Sequence, residues 1–406
     1  MRFIDYPISI EIKQELAELG FKKPTDIQFK SIQHILDGED LFAIAQTGTG
    51  KTAAFVIPVL DVLAKLKKTK GPQCIVLAPT RELAEQITQV FQTIGKGTKV
   101  KTICIMGGMS QDEQISALQS GVQIVVATPG RVFDLRNQGK LLFDDVRFLV
   151  VDEADRMLDL GFGHDVKAIH KFSFHRNRQT LFFSATINKK VKALAYDLVR
   201  DAIRIQVSPE NRVSKNVEHG FVRVEMDHKR FFLENMVKEY ENFRFVVFVR
   251  TKVRSERVVA AMERVGIVAE FLHGGLEQEK RFDVLNRFKN QEIRVLITTD
   301  VAARGIDIPE VEMVINYDLP DSPEQYVHRV GRTGRGMQLG QALSFCSKEE
   351  EGLLKDIEEY LAEPINELEV HENDYKAILN DTEDLSYNWK KLLDETNEED
   401  GTSDKW

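Results

Sequence analysis

Apolar residues in this chain gather into short unbroken runs, separated by longer stretches in which apolar positions recur at helical spacing. In the first half the runs are DLFAIAQTG (40–48), QCIVLAPT (73–80), KTICIMGG (101–108), VQIVVATPG (122–130), FLVVDEAD (148–155), TLFFSAT (180–186) and AIRIQV (202–207). A second series begins after about residue 215, with RFVVFVRT, VAEFLHGG, RVLITTD, MVINYDLP and ALSFCS. A run that is apolar at every position is buried on both faces, and such runs alternating with helices predict parallel sheets covered by helices on each side. Ligands of such sheets bind beyond the carboxyl ends of the strands, where the Thr, Gly, Pro and Asp that close these runs would gather. VSPENRVSKN (207–216) is polar, contains a proline and predicts a linker. The expectation is an α/β protein of two tandem units, 1–206 and 217–370, with no short-period repeat.

Charge adds a third region. The 406 residues carry 55 basic and 64 acidic side chains, a formal −9, which alone argues against a nucleic-acid partner. Residues 371–406 hold 11 acidic and 4 basic side chains, so the rest is nearly neutral and the acidity is a C-terminal property. This tail is expected to be partly disordered, with one short helix at SYNWKKLLDE (386–395). No run of 18 apolar residues and no secretory leader pattern is present, which predicts a cytoplasmic protein without a membrane span. Cys74, Cys104 and Cys346 lie far apart in strand-like runs and read as reduced, buried thiols rather than zinc ligands.

Candidate chemistry begins at Ala45-Gln46-Thr47-Gly48-Thr49-Gly50-Lys51-Thr52, which follows a strand and opens a helix. In that context backbone N–H groups face phosphates, Lys51 reaches the β and γ oxygens, and Thr52 offers a hydroxyl to Mg2+. A plain strand-to-helix turn is the competing reading. The partner such a loop needs is an acidic pair closing an apolar strand, and Asp152-Glu153 supplies it: Asp152 to hold Mg2+ and Glu153 to orient or deprotonate water. Acids at a helix N-terminus would also suit the dipole there.

The strand end reads Asp152-Glu153-Ala154-Asp155, and with it the chain resembles the DEAD-box ATP-dependent RNA helicases over roughly residues 1–365. Pro79-Thr80-Arg81-Glu82-Leu83-Ala84, Thr128-Pro129-Gly130-Arg131, Ser184-Ala185-Thr186, Thr299-Asp300 through Arg304-Gly305-Ile306-Asp307, and His328-Arg329-Val330-Gly331-Arg332-Thr333-Gly334-Arg335 are similar to further motifs of that family, in its order. Helicases of this type carry Ala at the position of Ala45, while Ile187-Asn188 stands where Met-Pro is common. The compact layout looks most like bacterial RhlE-type members.

The resemblance implies two RecA-like domains that close on ATP and RNA. It implies that Arg332 and Arg335 reach the γ-phosphate from the second domain, with Gly305 and Asp307 near the nucleotide. Gly20 through Gln28 resembles the family's Q motif, so Lys23, Thr25 and Gln28 are expected at adenine, with Phe3 stacking on the base. A Gln amide both donates and accepts, which suits the N6/N7 edge. Ser184, Thr186 and His328 are expected to couple the sites. The RNA track is expected along Pro79, Thr80, Arg81, Gly107, Gly108, Thr128, Pro129, Gly130 and Arg131, and along Arg250, Gly274, Gln278, Arg281 and Thr299. Contacts of this type reach the phosphate backbone and carry no base information.

The chain is therefore expected to be a monomeric RNA-dependent ATPase that binds single-stranded RNA and locally separates short duplexes, in ribosome assembly or RNA turnover. The alternatives are an ATP-gated RNA clamp or scaffold with weak unwinding, and a DNA helicase or translocase of the same superfamily.

Overall fold

In the computed structural model the described residues are 2–45, 48–108, 110–173, 178–207, 213, 216–303, 311–334 and 339–383. Strands β1 (Leu41–Ala45), β2 (Cys74–Leu77), β3 (Thr102–Ile105), β4 (Ile124–Ala127), β5 (Phe148–Val151), β6 (Gln179–Ser184) and β7 (Ile203–Val207) form one parallel sheet in the order β3-β4-β2-β5-β6-β1-β7. A second parallel sheet contains β8 (Val217–Arg223), β9 (Phe245–Val249), β10 (Ala269–Leu272), β11 (Val295–Thr299), β12 (Met313–Asn316), β13 (Gly340–Cys346) and β14 (Asn366–Glu367), in the order β10-β11-β9-β12-β13-β8-β14. These are the two RecA-like units expected.

Each sheet has a helical layer on both faces, which explains the unbroken apolar runs. Along β1, Leu41, Ala43 and Ala45 join one layer while Phe42 and Ile44 join the other. In the second sheet Val246 and Phe248 of β9 face one layer, and Phe245, Val247 and Val249 face the other. Burying a side chain of this size is worth roughly 1.5–3 kcal/mol, so no position along a central strand can be polar at low cost. Polar chemistry is pushed to the strand ends.

Three elements depart from the sequence reading. β8 carries Glu218, His219 and Gly220, which interrupt its apolar pattern, and β14 is only two exposed residues at the sheet edge. The segment read as tail begins with a helix, Glu372–Glu383, held on the second unit by Tyr375: its ring centroid lies 5.0 Å from that of Phe232 and its hydroxyl 3.0 Å from His228 Nδ1. The helix expected at 386–395 lies outside the described residues. No helix among the described residues is long and apolar enough to cross a membrane.

One buried ionic cluster ties the strand ends of the second sheet together. Lys229 is fully buried; its Nζ donates to the Tyr317 carbonyl at 2.8 Å and to Glu350, and lies 3.9 Å from Asp318 Oδ1. Asp318 in turn accepts from Arg250 N at 2.9 Å and pairs with Arg254 at 3.2 Å. Lys229→Met leaves Glu350 and Asp318 buried without their ammonium. The substitution is expected to cost on the order of 3–5 kcal/mol, with part of the loss recovered in the Lys229→Met, Glu350→Leu double variant, as read from thermal unfolding of both.

Candidate active site

β1 stops at Ala45, and the turn to the helix Lys51–Lys65 passes through Gly48 and Gly50, both left-handed at φ 81° and 87°. Gly50 is required twice over, because a Cβ there would lie 2.4 Å from Gln28 Nε2. The neighbouring helix Asp26–Leu36 supports this turn from outside. Thr25 Oγ1 donates to the Thr49 carbonyl at 2.7 Å, and Gln28 Nε2 donates to the Gly50 carbonyl at 3.1 Å while its Oε1 accepts from Thr25 N at 3.0 Å. An amide has two donor hydrogens and two lone-pair sites, and the turn takes one of each from Gln28, which is buried. Lys51 is buried and its Nζ donates back to the Ala45 carbonyl at 2.7 Å. Lys23 is exposed beside this turn.

Phe3 departs from the expectation. Its ring is only 3 % exposed, packed at 6.2 Å from Tyr6 and 6.0 Å from Phe21 in the core of the first unit. A ring covered in this way has no free face for adenine, so in this arrangement Phe3 is a packing residue. Gln46, Thr47, Gly305, Asp307 and Arg335 lie outside the described residues.

β6 lies next to β1 in the sheet and β5 next to β6, so their ends open onto the same edge. Asp152 is 2 % exposed. Burial drives its carboxyl up to about 7, against the opposing pull of Lys51 and with further upward pressure from Glu153. Glu153 sits in the left-handed region at φ 50°, a conformation that costs a non-glycine residue of order 1 kcal/mol and turns its side chain out of the strand direction. Its carboxylate accepts from Arg156 Nη1 at 2.6 Å, with both groups buried. Asp155 accepts from Thr186 N at 2.9 Å and Thr186 Oγ1 at 3.0 Å, and Ser184 Oγ donates to the Thr186 carbonyl at 2.8 Å. Of the two coupling candidates, Thr186 is bonded directly to Asp155, and Ser184, at the end of β6, reaches it through Thr186. Arg156 was not singled out from sequence, although its spacing of three from Glu153 on a helix was a usable signal.

The second unit faces this edge with the helix Pro323–Val330. A small cavity is lined by Arg156 of the first unit and by Asp300, His328, Arg329 and Arg332 of the second. Burial, with the Arg156 and Arg332 guanidiniums nearby, pushes His328 down to about 3, so its ring is neutral at any physiological pH. Arg329 binds Asp300 through two bonds of 2.7 and 2.6 Å and donates to the Asp318 carbonyl at 2.6 Å, which leaves it structural. Arg332 is 6 % exposed at the cavity.

The expected RNA residues sit on the other half of each sheet. Pro79, Thr80 and Arg81 follow β2, Gly107 and Gly108 follow β3, and Thr128 through Arg131 follow β4; these strands are neighbours. Gly108 has φ 82°, and a Cβ there would meet Arg81 Nη1 at 2.7 Å, so the glycines let the guanidinium lie on the backbone. Arg131 donates to the Met106 carbonyl at 3.3 Å. In the second sheet Arg250, Gly274 and Thr299 end or follow β9, β10 and β11, again neighbours.

Several of these side chains are already engaged. Arg81 donates to Gln278 Oε1 at 3.3 Å, Gln278 donates to Glu82 Oε1 at 3.0 Å, and Arg281 pairs with the same oxygen at 2.9 Å, so the three clasp the two units around Glu82. Arg250 is bound to the Leu319 carbonyl and to Glu350, and Thr299 is buried. Glu82 was missed as a site residue, since an acid beside an expected phosphate path reads as a poor ligand.

Two family models match the chain: DEAD/DEAH box helicase over residues 25–194 and helicase conserved C-terminal domain over residues 228–337. The ATP-dependent RNA helicase DbpA of Bacillus subtilis is 40% identical over 367 residues, 90% of this chain and 76% of the relative. S. cerevisiae Dbp5 bound to RNA and ADP BeF3 superposes with a TM-score of 0.83 at 30% identity, over 93% of this chain and 99% of that one. A DEAD box protein from the hyperthermophile Methanococcus jannaschii is 36% identical over 91% of this chain and 99% of its own, with a TM-score of 0.54.

The carboxyl of Asp152 yields a pH prediction. A buried acid held at about 7 is partly protonated at neutral pH, and Asp152 would have to be ionised to hold the Mg2+ of a bound nucleotide, as the sequence reading expects. No group of three or more His, Cys, Asp or Glu among the described residues could hold a metal by itself. Affinity for Mg2+–nucleotide should fall up to about tenfold per unit as pH drops below about 7, with uptake of about one proton by the free protein. Calorimetric titrations between pH 6 and 8 check this, and Asp152→Asn should remove the slope. Without nucleotide the sign runs the other way: unfolded chains ionise Asp152 near 3.8 and the fold keeps its proton to about 7, so stability falls as pH rises through that window.

Proposed function

The chain belongs to the DEAD-box family of ATP-dependent RNA helicases, RNA-stimulated ATPases, and from that premise we propose that it grips single-stranded RNA without sequence preference and separates short duplexes locally as its two units close on ATP. The observation that carries this is the shared cavity in which Arg156, bonded to Glu153, meets His328 and Arg332 of the other unit. Charge developing on a transferring phosphoryl group is stabilised by preorganised donors, and here those donors come from both units. Neither unit alone holds the full set, so turnover depends on their apposition.

The superpositions support closure. The TM-score is 0.83 to the RNA- and nucleotide-bound protein and 0.54 to the Methanococcus jannaschii protein, a difference in the direction this reading expects. Bound ATP with Mg2+ supplies the scissile phosphate and its counter-charge. Lys51 holds the phosphates, Asp152 and Thr52 hold the cation, Glu153 aims water, and Arg332 with Arg335 meets the γ-phosphate. Ser184, Thr186 and neutral His328 transmit closure through Asp155 and Arg156. Residues 1–206 and 217–370 are taken as the working units, with 207–216 between them and 371–406 as an appendage, in a cytoplasmic monomer acting on ribosomal or turnover RNA. A 40% match to a DbpA protein carries no RhlE-type assignment.

Because Glu153 aims the water, Glu153→Gln should keep ATP and RNA binding while turnover falls on the order of 10²–10⁴-fold; equal rates in parent and variant would remove Glu153 from the mechanism. ATPase should rise with single-stranded RNA and much less with DNA of the same length, since 2′-OH contacts separate the two. Equal stimulation would favour a DNA enzyme, and stimulated turnover without loss of a short duplex on gels would favour the clamp.

A further inference from the structure

The second unit has a cavity of about 290 Å3 that plays no part in the chemistry above. It opens between the helices Lys229–Glu239 and Lys252–Arg264, which cover the sheet face opposite the one carrying the helix Pro323–Val330. Arg230, with Glu234 beside it, enters from one helix, Arg254 and Arg257 from successive turns of the other, and Asp227 is the one acid among the described lining residues. Tyr317 forms part of the lining, and Val253, 54% exposed, adds an apolar wall. Arginines beside exposed apolar surface suit carboxylates interspersed with aromatic or aliphatic side chains.

The chain itself supplies such a segment beside this cavity. The last described helix rests on the residues flanking it, with Tyr375 Oη 3.1 Å from Glu225 N and 3.0 Å from His228 Nδ1. Beyond Glu383 lie 23 residues with 7 acidic and 3 basic side chains, net −4, together with Leu385, Tyr387 and Trp389. At roughly 3.3 Å per extended residue they reach the cavity with length to spare.

We infer that residues 384–406 dock in this arginine cavity, carboxylates on Arg230 and Arg257 and an aromatic ring against Val253. Tethering raises the effective concentration of the segment, so contacts that are individually weak suffice. Because the cavity is lined by Thr251, two residues after the end of β9 and next to Arg250, docked carboxylates repel RNA phosphates at the end of β9, and the tail acts as an electrostatic brake on RNA binding.

The test places a photoreactive benzophenone side chain at Val253 in the full chain and maps crosslinks by mass spectrometry. Crosslinks are expected within 384–406, reduced at least about fivefold when Arg230→Gln and Arg257→Gln are added, because charge pairing holds the segment. Truncation after Glu383 should tighten single-stranded RNA binding about three- to tenfold at low salt, an effect that high salt removes, and the arginine pair should add no tightening in the truncated chain. The crosslink needs no RNA, so its failure is distinguishable from failure of the RNA reading. Crosslinks that miss the tail, that ignore the arginine pair, or that appear on added RNA while none forms on the tail would overturn the inference.

Discussion

Three carboxylates, Asp152, Glu153 and Asp155, are buried within four residues at the end of β5, and a cluster of that kind survives only if each acid is answered. The answers come from different places: Lys51 from the turn after β1, Arg156 from the following helix and Thr186 from the end of β6. Satisfying the acids therefore draws three strand ends and one helix start into a fixed arrangement. Asp152 is answered least well, and its carboxyl remains high for that reason.

Buried charge sets the second unit as well. Lys229, Asp318 and Glu350 are taken out of water together, and the backbone of Arg250 hangs from Asp318. Arg329 fills both lobes of Asp300. In each unit a buried ionic group lies beneath the surface that is proposed to work, so removing a partner would leave an uncompensated buried charge.

Most of the fold could be read in advance because central parallel strands must be apolar at every position, a pattern that FLVV and FVVFV carry without ambiguity. β8 was hidden because Glu218 and Gly220 break that pattern in a strand near the sheet edge, where one face is less covered. The helix Glu372–Glu383 was hidden because a highly acidic segment is held by a single aromatic anchor, Tyr375, that composition cannot reveal. Gly50, Lys51 and Gln28 could be singled out because a phosphate-binding turn and its support need a residue type at a fixed spacing, whereas Asp155 entered only as part of the tetrad and its bond to Thr186 came from the structure. Phe3 misled for the converse reason: an aromatic at the right register can serve either a base or the core, and only packing decides. Gln278 and Arg281 were read as phosphate ligands because side-chain type does not show that Glu82 would stand across from them.

In each sheet the strands bearing the expected phosphate-path residues form one contiguous half, β3-β4-β2 or β10-β11-β9, while β5-β6-β1 bears the nucleotide turn and its acids. Parallel strands deliver all their ends to one edge, so the two ligands of the proposed function would share that edge without sharing residues. Such a layout is modular in an evolutionary sense: loops on one half can drift, lengthen or acquire new recognition while the energy-converting half stays intact. A chemist seeking to redirect this protein toward another polymer would redesign the ends of β2, β3 and β4 and leave β5, β6 and β1 alone.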